Sequence, residues 1–247
     1  MKNNLSFINV YKKKNIKSEV VTQVLYGETF KKIKKEGSWI KIKNDLDHYI
    51  GYVKNRNFPI NQKNTHKVYK LSARLYFKPN IKNKIKKKLS FNSRIKVLKK
   101  KGNFYKFENK LWIKKEDLKK INYKTNNIFQ NINMFENTKY KWGGKNFRGI
   151  DCSGLVQLFF NFNNKFCPRD AKDQIKYFKN KISLKNIRKN DLLFWKGHVA
   201  VALSKTKLMH AYGPLKKALQ MNIKKTIFKI YKTANLKVIG IRRFSKF

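Results

Sequence analysis

The chain has 247 residues, 41% of them hydrophobic, which is enough for more than one packed core, so two or three compact units are expected. Lys and Arg number 61 against 13 Asp and Glu, a formal net charge of +48, yet the lysines run with Asn and Ile through every stretch and form no organised basic motif. That pattern reads as compositional bias, so nucleic-acid binding is not expected, although a polyanion or a carboxylate-rich ligand remains open. The opening MKNNLSFINVYKKKNIKSEV lacks the apolar run of a signal peptide and no segment is long and apolar enough to span a membrane, so a cytoplasmic protein without a membrane segment is expected.

In chain order the first signal is a repeat. KKIKKEGSWIKIKN (31–44) recurs as KVLKKKGNFYKFEN (96–109), with Gly37 matching Gly102, Trp39 matching Phe104 and Ile42 matching Phe107. Both copies alternate apolar and polar residues around a Lys/Gly turn, the period-2 signal of antiparallel hairpins. Each is followed by an aromatic and β-branched stretch, YIGYVKN and LWIKKEDL, so about five short strands per copy are predicted to make a small barrel. The pattern resembles the bacterial SH3-like domain, and SEVVTQVLYGE (18–28) resembles the form that precedes dipeptidyl-peptidases of the cell-wall type.

The texture changes near residue 121. NNIFQNINMFENTKYKWGG predicts a helix with Ile128, Ile132 and Phe135 on one side, ending before Gly143 and Gly144. SGLVQLFFNF, after Cys152, is apolar almost all round and predicts a helix buried inside a domain. DLLFW, HVAVAL and KLMHAY predict three short strands, the first two joined by a tight Lys196-Gly197 turn. The tail after Gly213 predicts one helix and one last strand.

The chemistry gathers in this last third. Cys152 stands at the leading edge of the buried helix, where unpaired backbone N–H groups and the helix dipole lower a thiol pKa and can receive an oxyanion. Only His198 and His210 lie downstream of it. If their strands form a hairpin symmetric about Ser204, the two are direct cross-strand partners about 4.5–5.5 Å apart, close enough for one to act as base and the other to fix its tautomer. Two cysteines in a cytoplasmic setting are not expected to pair, and Cys167 reads as a buried apolar filler. No zinc-ligand spacing occurs, so neither metal nor organic cofactor is implied.

YKWGG, GIDCSGLVQ, PRDAKDQ, RKNDLLFW, GHVAVAL and MHAYG, in that order, resemble the NlpC-type family of papain-like cell-wall cysteine peptidases. The resemblance implies two small all-β SH3-like barrels (1–60 and 61–120) followed by an α+β papain-like catalytic domain with an antiparallel sheet (121–247). It implies Cys152 as nucleophile, His198 as base, His210 as orienter and Tyr140 as a hydroxyl that helps hold the thiol and the oxyanion. Asp151 and Ser153 match positions that grip the free amino group of an N-terminal L-alanine, with Glu19 and Tyr49 from the first barrel as candidates for closing a dipeptide-sized slot. The implied activity is hydrolysis of the γ-D-glutamyl bond to lysine or diaminopimelate in peptidoglycan stem peptides, free peptides in particular. Two alternatives stand beside it: a non-catalytic wall- or polyanion-binding protein, and a related N-acetylmuramoyl-L-alanine amidase.

Overall fold

The computed structural model describes residues 1–60, 63–108 and 111–244. Asn109, which ends the second repeat segment, and the last three residues of the tail lie outside them. The chain divides into two compact units, one of Met1–Lys124 with Lys145–Phe147 and Phe162–Asn164, the other of Thr125–Gly144, Arg148–Asn161 and the chain from Lys165 onward.

The first unit is all β. Strands β1 (Phe7–Tyr11), β2 (Val20–Leu25), β3 (Phe30–Glu36), β4 (Trp39–Asn44) and β5 (Ile50–Lys54) form an antiparallel sheet in the order β2-β1-β5-β4-β3. Val10, Val24, Phe30, Ile40, Ile42, Val53 and Phe58 are its core. The second stretch supplies β6 (His66–Val68), β7 (Ser72–Tyr76), β8 (Lys84–Ser90), β9 (Arg94–Ile95), β10 (Lys99–Lys101), β11 (Phe104–Glu108), β12 (Leu111–Lys114) and β13 (Leu118–Lys120). Five of these make a sheet in the order β10-β11-β12-β7-β8, the first sheet's order again, and β13-β6-β9 make a separate one.

The repeat is borne out at its turns. Glu36 pairs with Trp39 and Lys101 with Phe104, so each hairpin closes on two residues, the first a glycine with positive φ (Gly37 +58°, Gly102 +53°). The two small barrels expected correspond to two five-stranded sheets, neither of them closed among the described residues. Their edges β3 and β10 are lysine-rich and almost wholly exposed, which discourages further strand pairing. The unit also contains β14 (Lys145–Asn146), whose Lys145 forms a fully buried ion pair with Glu28 at 3.1 Å.

The second unit is α+β. After β15 (Gly149–Ile150) come α1 (Cys152–Phe162), α2 (Ala171–Tyr177), β16 (Asn180–Ile182), β17 (Leu192–Trp195), β18 (His198–Ala202), β19 (Lys207–Tyr212), β20 (Lys217–Asn222), α3 (Ile223–Ala234) and β21 (Gly240–Arg243). The six longer strands form one antiparallel sheet in the order β16-β21-β17-β18-β19-β20. The helix and last strand expected in the tail are α3 and β21. Every residue of α1 is buried, as its uniform apolarity predicts.

The helix expected over residues 126–142 is absent. Only a single 3₁₀ turn, Ile132–Phe135, forms there, because Asn131 and Asn137 adopt left-handed φ of 64° and 63° and break the chain direction on either side. Ile128, Ile132 and Phe135 are buried nonetheless, and Phe135 packs edge-on against Phe159 of α1. The apolar spacing reported burial correctly without the helix that usually produces it.

Candidate active site

Cys152 opens α1, and the residue before it caps that helix. The Asp151 carbonyl accepts from Leu155 N–H at 3.0 Å and its Oδ1 from Gly154 N–H at 2.7 Å, the bonding of an N-cap residue. A side chain on Gly154 would put its Cβ 2.6 Å from the Gly144 carbonyl, so only glycine fits between the cap and that loop. Gly143 N–H donates to Asp151 Oδ2 at 2.8 Å.

Arg169, in the PRDAKDQ segment, was not singled out from sequence. Its guanidinium takes Asp151 in a fork, Nη2 to Oδ2 at 2.6 Å and Nη1 to Oδ1 at 3.0 Å, and Nη1 also donates to Ser153 Oγ at 2.9 Å. Both carboxylate oxygens are thus engaged in the structure, so an ammonium reaching Asp151 has to displace a donor already there. The signal that would have found Arg169 is chemical: a buried carboxylate beside a thiol requires a cation.

The two-residue Lys196-Gly197 turn forms as expected, with Trp195 paired to His198 and Gly197 at φ +76°. The histidine register differs from expectation by two residues. Val201 pairs with Met209 and Ala202 with Leu208, so the hairpin is symmetric about Lys205, and the register carried on sets His198 opposite Tyr212 and Ala200 opposite His210. The histidines are diagonal neighbours on one face, and imidazoles are long enough to meet across that diagonal. His198 Nε2 lies 2.9 Å from His210 Nδ1. Tyr212, missed from sequence, stacks on His210 with centroids 4.8 Å apart and planes at 8°.

The backbone amides of Val199, the residue that follows His198, and of Ser153 act on the Cys152 thiol in the direction that favours its ionised form. These amides and Arg169 lower its pKa, but burial and the Asp151 charge outweigh them and push it up to about 12. The low thiol pKa expected at a helix start is therefore not present at rest. Burial likewise depresses His198 to about 4 and His210 to about 3. Burial thus favours the neutral thiol and neutral imidazoles at pH 7, beside the Asp151–Arg169 ion pair. Tyr140 is half-buried, and burial together with the charges of Cys152 and Asp151 raises its hydroxyl pKa, which keeps it a proton donor.

The second unit thus holds Cys152, His198, His210, Tyr140, Asp151 and Ser153. Glu19 and Tyr49 belong to the first unit, where Glu19 is exposed and pairs with Lys12 at 3.1 Å and the Tyr49 N–H donates to Asp47 Oδ1 at 3.1 Å. Cys167 is fully buried and forms no disulfide with Cys152. Among the described residues no cluster of three or more His, Cys, Asp or Glu is arranged to hold a metal ion, and no helix is long and apolar enough to cross a membrane.

Comparison with known proteins bears on the same segments. Residues 137–235 match the NlpC/P60 family, a range that contains Tyr140, Cys152, His198 and His210, and residues 6–58 match the bacterial SH3 domain. Dipeptidyl-peptidase 6 of Lysinibacillus sphaericus is 39% identical over 85 residues, 34% of this chain and 31% of that protein, so the match spans less than a third of that relative's length. A gamma-D-glutamyl-L-lysine dipeptidyl-peptidase of Bacillus cereus is 25% identical over 231 residues, covering 78% of this chain and 68% of the relative. A crystal structure of an NlpC/P60 family protein from Bacillus cereus ATCC 10987 superposes with a TM-score of 0.81 over 98% of both chains at 18% identity, a likeness of fold. The chain carries an NlpC/P60 domain preceded by a bacterial SH3 domain.

Proposed function

We propose that the protein is a cysteine peptidase that hydrolyses the bond between γ-D-glutamate and the diamino acid of peptidoglycan stem peptides, acting on released peptides with a free N-terminal L-alanine in the cytoplasm. The observation that carries the reading is the contact of His198 Nε2 with His210 Nδ1 at 2.9 Å, on the strand whose Val199 backbone amide acts on the Cys152 thiol. A thiol, a base and an orienter then act in sequence. The relatives named as dipeptidyl-peptidases, one of them for the γ-D-glutamyl-L-lysine bond, support the choice of bond. The stretch containing β7 to β12 repeats the first sheet's strand order, which supports a second SH3-like copy.

In this mechanism His198 takes the Cys152 proton as the sulfur attacks the γ-carbonyl carbon. The negative charge that develops on the carbonyl oxygen is stabilised by backbone N–H groups at the start of α1 and by the Tyr140 hydroxyl. His198 returns the proton to the leaving amine, and water then hydrolyses the thioester to regenerate the thiol. His210 accepts from His198 and stabilises the imidazolium as it forms.

Mass spectrometry of products from L-Ala-γ-D-Glu peptides ending in diaminopimelate or lysine tests this reading. Released L-Ala-D-Glu is expected, and acetylation of the alanine is expected to lower kcat/KM, since an amide nitrogen brings no positive charge to the Asp151 side of the site. With a muramoyl-peptide as a second substrate, cleavage of the sugar–alanine bond instead makes the protein an amidase, and no turnover of either substrate contradicts a peptidase.

A further inference from the structure

His210 is fully buried and each ring nitrogen has one neighbour: Nδ1 meets His198 Nε2 at 2.9 Å, and Nε2 meets the Met221 sulfur at 3.4 Å. The sheet places Met221 there. On β20 Leu219 pairs with His210 and Met221 with Leu208, so Met221 sits diagonally from His210 on the same face of the ladder.

A thioether has lone pairs and no proton to donate. A ring nitrogen facing it gains only if that nitrogen carries the hydrogen. A neutral imidazole has a single N–H, so a proton on His210 Nε2 leaves Nδ1 bare, and Nδ1 can then only accept. His198 must therefore supply its Nε2–H to that contact, which leaves His198 Nδ1 with the free lone pair that a base toward a thiol needs. The opposite arrangement puts the His210 proton on Nδ1, sets two lone pairs against each other at Met221, and leaves His198 with its hydrogen on Nδ1, unable to accept from Cys152.

The geometry points to Met221 as a positioning residue that selects the tautomer of both histidines through a sulfur acceptor at the far end of the pair. Burial, which keeps both rings neutral, makes that choice matter, because a doubly protonated ring has no tautomer to select. Stacking of Tyr212 holds the His210 plane in line with both neighbours. The consequence for the base rests on the proposed peptidase activity; the tautomer assignment does not.

The test is ¹⁵N NMR of the full chain with labelled histidine at neutral pH, on the wild type and on Met221→Leu, which keeps the side-chain bulk and removes the sulfur. The wild type is expected to show His210 protonated on Nε2 and bare on Nδ1, and Met221→Leu a mixture of tautomers, with kcat on a stem peptide reduced about five-fold at unchanged KM. A wild-type His210 protonated on Nδ1, or the same tautomer and kcat in both proteins, overturns the proposal. The expected wild-type tautomer in a protein that cleaves no peptide strikes the peptidase reading and leaves this one standing.

Discussion

Around the thiol, burial and the Asp151 charge raise the pKa, while nearby backbone amides and Arg169 act the other way and are outweighed. Replacing Arg169 with Met removes the fork and leaves Asp151 with backbone donors and the Ser153 hydroxyl, so stability is expected to fall by about 3–5 kcal/mol, read as a lower urea midpoint for the second unit. The buried histidines set a pH dependence whose sign follows from their depressed pKa values. Unfolded histidine titrates near 6.5 and folded His198 near 4, so between those values the unfolded chain binds more protons and stability rises with pH. The full contribution is present above about pH 6.5 and is lost as pH falls toward 4. Unfolding midpoints measured across that window check it, and the slope is expected to shrink in His198→Gln. Cys152, His198 and Tyr140 were legible in the sequence because each lies in a short contiguous motif. Arg169, Tyr212 and Met221 were not, because their roles depend on which residues a loop closure and a strand register bring together.

Among the elements, turns were legible and their partners were not. Gly37 and Gly102 announced two hairpins, because a two-residue turn with positive φ is a local property that glycine meets at low cost. Gly27 looks similar in sequence but differs in its surroundings. A Cβ on Gly37 meets nothing within 4 Å, whereas one on Gly27 falls 1.7 Å from the Arg94 carbonyl. Gly37→Ala is expected to cost about 1–2 kcal/mol of backbone strain, and Gly27→Ala substantially more, as denaturant melts of the two variants can show. Equal costs contradict the packing described. The missing helix around Ile132 and the two-residue shift in the histidine hairpin share a cause. Apolar spacing reports which residues are buried, while left-handed asparagines and loop lengths determine how the chain carries them there.

Over the whole molecule, 61 basic residues face 13 acidic ones, and several of those acids are buried and bound to a cation: Glu28 to Lys145, Asp151 to Arg169, Asp191 to Arg243. The remaining positive charge repels itself across the surface. Raising ionic strength from about 0.01 M to 0.15 M shortens the screening length from about 30 Å to about 8 Å, so Tm is expected to rise with salt. Turnover of a small stem peptide is expected to change only a few-fold over the same range. A loss of several orders of magnitude instead means that many lysines engage a polymeric anion. The central claim is that Cys152 attacks the γ-glutamyl carbonyl with His198 as base, and rapid-quench intact-protein mass spectrometry followed by peptide mapping tests it most directly. The account predicts a transient L-Ala-γ-D-Glu thioester on Cys152, present in Cys167→Ala and absent in Cys152→Ala; an adduct on Cys167, or continued turnover by Cys152→Ala, contradicts it.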